Sequence, residues 1–129
     1  MSMGSRSPDR LSCLSSAWQA SRWQFPADYT KQDFVDDLDD WDAWPVIVGG
    51  ELAGAMLVKG PEIHACILPL FFGRWASPSM YRRVLERKKQ HGRLVTTVNV
   101  DHDAGREFVE RFGFTMTGNT GHVLHYEMR

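Results

Sequence analysis

Asp103-Ala104-Gly105-Arg106-Glu107-Phe108-Val109-Glu110-Arg111-Phe112-Gly113-Phe114 reads as one helix and the start of the strand that follows it. Asp103 can cap the free amides of a first turn. Ala104, Phe108, Val109 and Phe112 recur at helical spacing, and Gly113 offers the left-handed residue that ends a helix. Just upstream, Leu94-Val95-Thr96-Thr97-Val98-Asn99-Val100 is rich in β-branched residues and predicts a strand. Downstream, Phe114 to Thr117 and Val123 to Met128 predict a closing hairpin across Gly118-Asn119-Thr120-Gly121.

Further out, Ser77-Pro78 predicts a helix start. The hydroxyl can cap an amide, and proline occupies a first-turn position where its missing N–H costs nothing. Met80, Val84 and Leu85 form the apolar side of that helix, Arg82, Arg83, Arg87, Lys88 and Lys89 the solvated one, and Gly92 ends it. Before it lie three apolar runs broken by turns. Trp44 to Val48 and Leu52 to Lys59 flank Gly49-Gly50-Glu51, and Gly60-Pro61 leads into Glu62 to Pro69, which together predict an antiparallel meander. Thr30 and Asp33 form a capping-box pair ahead of Phe34, Val35 and Leu38, Leu11 to Ala20 has helical character, and residues 1–12 read as a flexible arm. Residues 13–129 then form a single domain of the α/β (α+β) class, with a mixed, mostly antiparallel sheet of about six strands and helices on both faces.

Composition narrows the function. The 129 residues are 43% hydrophobic and 24% charged, enough for one buried core, and the formal net charge of −1 lacks the basic footprint of a general nucleic-acid binder. Cys13 and Cys66 stand far apart, without zinc or disulfide-framework spacing, so a reducing compartment is expected. His122 and His125 have no obvious third partner, and no metal is expected. No apolar run approaches the ~20 residues of a membrane span. The Ser-, Arg- and Pro-rich start lacks the apolar centre of a secretion signal. A soluble, cytoplasmic protein is expected.

The element order ending in Gly105 to Phe114 resembles the GCN5-related N-acetyltransferases over roughly residues 30 to 129. That family usually shows N-x-x-A-x-x-[FL]-Y-x-x-x-G-F here. Gly113-Phe114 and the apolar helix face match, whereas His102 stands for the Asn, Gly105 for the Ala and Val109 for the Tyr that protonates departing CoA thiolate. The family's pyrophosphate loop, [QR]-x-x-G-x-[GA], corresponds to Arg74-Trp75-Ala76-Ser77-Pro78-Ser79, with both glycines replaced by serine. The hairpin Pro45-Val46-Ile47-Val48-Gly49-Gly50 also resembles the small acetyltransferase-like internal virion proteins of podophages, which would move the protein from cytoplasm to virion.

The resemblance implies acetyl-CoA as co-substrate, weakly bound, with contacts from Leu68, Leu70, Arg74, Ser77, Ser79 and His102. It implies an acetyl group passed directly to an amine on a small molecule or a protein. Glu62 and His64 alternate onto one strand face and could relay the amine's proton, although they equally suit a solvated strand start. Tyr126 and Tyr81 are the tyrosines placed to replace the missing acid, and each also suits half-buried packing. Asp28, Asp33, Asp36, Asp37, Asp39, Asp40 and Asp42, with Trp41 and Trp44 among them, form either a wall that attracts a cationic acceptor or a solvated helix face. A homodimer or assembly into a virion remains open, as does a non-catalytic protein that keeps the fold without the cofactor. No membrane or nucleic-acid partner is expected.

Overall fold

The computed structural model describes residues 8–129. The arm expected at the N-terminus lies outside the described residues up to position 7. Its last residues already belong to a helix, α1 (Arg10–Ser21). After it come α2 (Lys31–Asp37), β1 (Asp42–Val48), β2 (Glu51–Lys59), β3 (Glu62–Ile67), α3 (Pro78–His91), β4 (Leu94–Asn99), α4 (Asp103–Phe112), β5 (Thr115–Thr120) and β6 (Val123–Met128). The strands form one six-stranded, mostly antiparallel sheet in the order β1-β2-β3-β4-β6-β5. No helix among the described residues is long and apolar enough to cross a membrane.

By packing, the chain divides into two compact units. Among the described residues, one comprises 8–57 together with Ala65–Trp75, the other Val58–His64 together with Ala76–Arg129. In the first, Cys13, Leu14 and Ala17 of α1 are buried with Phe34, Ala55 and Leu57, and Trp18, Phe25 and Tyr29 surround them. Trp18 stacks on Phe25 at 5.8 Å between ring centroids. Both helices start on side-chain caps. Asp9 accepts from the Ser12 amide at 2.8 Å, and Thr30 and Asp33 form the reciprocal capping box expected from their spacing. The Arg10 guanidinium donates to the carbonyls of Leu38 and Trp41, just past the end of α2.

β2 is buried on both faces from Ala53 to Val58, which needs small residues where another backbone comes close. Gly54, with φ of +149°, is that place: a Cβ there would lie 2.0 Å from the Cys66 carbonyl oxygen. β3 is shorter than the sequence predicts. It stops at Ile67 because Leu68 and Pro69 lead into a 3-10 turn, Pro69–Phe71, and proline has no N–H to extend the ladder.

In the second unit β3 meets β4 in parallel at Glu62↔Val95, and the Val95 amide donates to the Pro61 carbonyl at 2.9 Å. β4 pairs antiparallel with β6 from Leu94↔Met128 to Asn99↔Val123. α3 starts on Ser77 and ends at left-handed Gly92, as its sequence predicts. Tyr81 of α3 meets Phe112 of α4 at 4.6 Å, and Phe112 continues to Phe108 and Phe114. The closing hairpin turns later than expected: β5 runs on to Thr120, and Gly118 sits at a register shift after Met116.

Candidate functional site

Alternation along β3 sets Glu62 and His64 on one face, and the structure joins them. His64 Nε2 donates to Glu62 Oε2 at 2.6 Å. Both remain partly open to solvent, 23% for the His64 side chain and 43% for Glu62. The hydrogen bond from His64 holds the Glu62 carboxyl below its ordinary value, against an opposing push from burial. With Nε2 committed to the carboxylate, Nδ1 is the basic nitrogen, and Thr96 Oγ1 of β4 lies 3.5 Å from it. Thr96, one of the few buried polar residues, has no role in the sequence reading. The signal available for it was a hydroxyl in the buried alternation Leu94-Thr96-Val98.

Tyr126 is the cross-strand partner of Thr96 but its hydroxyl is turned elsewhere. It is 1% exposed and donates to Glu110 Oε2 of α4 at 2.8 Å. Burial first, and then this bond, push its pKa up, so the phenol keeps its proton. The structure therefore brings Glu62 and His64 together and ties Tyr126 to α4. Tyr81 is exposed on α3, with its ring against Phe112.

His102, not Asp103, caps α4. The Gly105 amide donates to His102 Nδ1 at 3.2 Å, while Asp103 is the first helical residue and pairs with Arg106 at 3.6 Å. Capping needs an acceptor nitrogen. Burial pushes the His102 pKa down, toward the neutral imidazole that supplies one. The capping ring also lies over Gly105, where a Cβ would be 3.0 Å from the ring and 3.2 Å from Val98 Cγ1. The two departures from the usual family pattern, His for Asn and Gly for Ala, are thus sterically one change.

Of the turn expected to contact acetyl-CoA, residues 68–70, few amides are available. The Leu68 amide donates to the Ala53 carbonyl at 2.8 Å, and Pro69 has no N–H. Leu70, 74% exposed, has the one amide of the three with no hydrogen bond among the described residues. Arg74 Nη2 donates to the Leu70 carbonyl at 3.1 Å, with its guanidinium 5.7 Å from the Phe71 ring centroid. At the start of α3, Ser77 Oγ accepts from the Met80 amide at 3.1 Å and lies 3.1 Å from Ser79 Oγ. Pro78 donates nothing, so Ser79 supplies the first-turn amide that is left.

The acidic stretch is exposed, and three of its carboxylates serve α2 itself. Asp33 closes the capping box, Asp36 accepts from Gln32 at 2.8 Å, and Asp37 accepts from the Tyr29 hydroxyl at 2.5 Å. Burial, then that bond to Asp37, raises the Tyr29 pKa to about 12.

No protein-family model and no curated protein matches this chain. Solved structures do. A GnaT-family acetyltransferase described as putative, from Bordetella pertussis, superposes with a TM-score of 0.62 at 17% identity, over 95% of this chain and 93% of that one. A GNAT family acetyltransferase from Elizabethkingia anophelis with acetyl-CoA bound gives 0.59 at 12% identity, over 97% and 93%. The PaiA N-acetyltransferase of Thermoplasma acidophilum in complex with coenzyme A gives 0.58 at 12% identity, over 91% and 87%. Element order, sheet order and these superpositions agree that the chain has the fold of the GCN5-related N-acetyltransferases.

Proposed function

We propose that the protein is an acetyl-CoA-dependent N-acetyltransferase in which an amine attacks the thioester directly. The observation that carries this reading is the Glu62–His64 pair: a carboxylate-oriented imidazole, partly open to solvent, on a fold whose solved examples bind coenzyme A or acetyl-CoA. The neutral amine nitrogen forms a bond to the thioester carbonyl carbon, and the carbon–sulfur bond then breaks. His64 takes the amine's proton and can return it to the departing thiolate. The Leu70 amide is the donor assigned to the developing oxyanion, Leu68 pairs its carbonyl side with the pantetheine arm, and Arg74, Ser77 and Ser79 are assigned to the pyrophosphate. His102, as the α4 cap, positions the end of β4. Tyr126 is assigned a packing role, with its hydroxyl held by Glu110.

At the start of α3 Pro78 removes one amide donor, and the serines that stand for glycines add Cβ atoms where a phosphate would approach. Each donor lost to a charged group costs about 1.5–3 kcal/mol, so acetyl-CoA should bind roughly tenfold to a hundredfold more weakly than with a full amide cradle. The same feature favours a second reading, a non-catalytic binding or virion protein that has given up the cofactor. Calorimetric titration with acetyl-CoA, paired with thiol release from acetyl-CoA over a panel of amines, separates the two. On the enzyme reading acetyl-CoA binds, Arg74→Ala weakens it, and His64→Gln lowers turnover about a hundredfold with acetyl-CoA affinity unchanged. If acetyl-CoA binds to neither the parent nor Pro78→Gly, the second reading stands.

A further inference from the structure

Both ring nitrogens of His64 face a partner within the second unit. Nε2 donates to Glu62 Oε2 at 2.6 Å, which leaves Nδ1 as the acceptor nitrogen, and Thr96 Oγ1 stands 3.5 Å from it. That distance is long for such a bond, as catalytic hydrogen bonds often are before substrate is bound. Among the described residues β3 and β4 pair only at Glu62↔Val95, and that register would set Thr97, not Thr96, beside His64 on one face. Nδ1 and the Thr96 hydroxyl therefore meet across the space between two strands that have stopped pairing. On its other side β4 is held to β6 from Leu94↔Met128 to Asn99↔Val123, which fixes the Thr96 backbone. Thr96 is 7% exposed, so its hydroxyl, and not bulk water, meets Nδ1.

The geometry points to Thr96 as a catalytic proton relay between the acceptor amine and His64. The relay rests on the acetyltransferase reading and adds a residue and a path to it. As the amine nitrogen bonds to the thioester carbonyl carbon it becomes positively charged and must lose a proton. An Nδ1 already faced by a hydroxyl cannot take that proton directly. The amine proton passes to Thr96 Oγ1, through a lone pair the hydroxyl keeps, while the hydroxyl's own proton passes to Nδ1. The hydroxyl ends as it began, and the imidazolium is left beside the Glu62 carboxylate, which stabilises it. The same path in reverse returns the proton to the thiolate once the carbon–sulfur bond breaks. A serine at this position would serve as threonine does. A valine, of nearly the same shape, would stop the relay and leave no room for a water to replace it.

Thr96→Val, Thr96→Ser and Thr97→Val are compared in the full chain. Without acetyl-CoA, the imidazole nitrogen resonances of His64, assigned through His64→Gln, report the contact. Thr96→Val should shift Nδ1 toward a free acceptor nitrogen and leave Nε2 in place. Thiol release from acetyl-CoA is then followed with ethanolamine, putrescine and lysine methyl ester. Thr96→Val should lower kcat about tenfold to a hundredfold with KM for acetyl-CoA unchanged, while Thr96→Ser stays within about threefold and Thr97→Val matches the parent. The parent in mixtures of light and heavy water needs no variant: kcat should fall along a curve, because two protons move in one step, and a straight line overturns the relay. An unmoved Nδ1 in Thr96→Val overturns the contact and the relay together. Parent-like kcat in Thr96→Val, or a loss that Thr96→Ser shares, overturns the relay and leaves the acetyltransferase. Should the parent release no thiol with any of these amines, the relay falls with the acetyltransferase reading, and the Nδ1 shift tells that failure from the loss of the contact itself.

Discussion

Gly54→Ala is expected to be the most damaging single-methyl change in the protein. The added carbon would sit 2.0 Å from the Cys66 carbonyl oxygen, 2.9 Å from Ile67 Cα and 3.0 Å from the Cys66 carbonyl carbon, all of them backbone atoms. No side chain can rotate away, so β2 and β3 must part by roughly 1 Å at a place where both are buried. That separation falls beside the 2.8 Å bond from the Leu68 amide to the Ala53 carbonyl. Overpacking of this kind costs about 1–3 kcal/mol, a lost strand bond about 1, and alanine at a φ of +149° about 1–2 more. The sum, about 3–6 kcal/mol, is a large part of the 5–15 kcal/mol typical of a domain, and should lower Tm by about 10 °C or more. Gly118→Ala is the control. Its Cβ would meet only His125 atoms, at 3.9 and 4.0 Å, and its φ lies outside the left-handed range, so it should be neutral or slightly stabilising. Thermal and urea unfolding followed by circular dichroism compare the two. A Gly54→Ala protein within 1 kcal/mol of its parent, or a Gly118→Ala protein equally damaged, would refute the close-approach argument. Because Leu68 begins the turn carrying Leu70, any folded Gly54→Ala protein should also lose acetyl transfer.

Tyr126→Phe removes a buried hydroxyl from Glu110 and should cost about 1–2 kcal/mol in urea unfolding while leaving turnover within about twofold, where a loss of a hundredfold would restore the phenol as an acid. Gly105→Ala should behave differently in two backgrounds: close to neutral or destabilising beside His102, but stabilising by about 0.5–1 kcal/mol in His102→Asn, where the intrinsic helix preference for alanine is released. Equal effects in both backgrounds would uncouple the pair. The depressed Glu62 carboxyl contributes stability above the ordinary carboxylate range and loses it as pH falls through its lower folded value. Solvent exposure keeps that contribution below about 1 kcal/mol, so Glu62→Gln should slightly flatten the fall of the urea midpoint between about pH 6 and 3.

The fold was legible where one residue type has one local use. Thr30 with Asp33, Ser77 with Pro78, and Gly92 and Gly113 mark helix ends through hydrogen bonds made within four residues, and each lies in the structure where its chemistry predicts. Boundaries moved where something other than apolar patterning decides. β3 reads as apolar through Pro69, but Pro69 has no N–H and opens the 3-10 turn Pro69–Phe71, so the strand stops at Ile67. Asp103 is the better cap by composition. His102 displaces it because burial favours a neutral imidazole at that end of β4.

The candidate site divides along the same line. Glu62 and His64 are two apart on a strand, so their union follows from period-two alternation and could be read before any coordinates. Tyr126 was attractive for its chemistry, yet the face it shares with Thr96 also holds α4, and the sequence cannot tell an open hydroxyl from one held by Glu110 sixteen residues away. The departures from the family pattern were legible singly but not jointly. An imidazole at 102 reads as a lost amide and a glycine at 105 as a weakened helix. In space the larger ring fills what the missing methyl vacates, and the α4 cap survives both changes. A cap rebuilt with different residues keeps the end of β4 fixed. Structures at 12% and 17% identity superpose on this chain although no family model matches it.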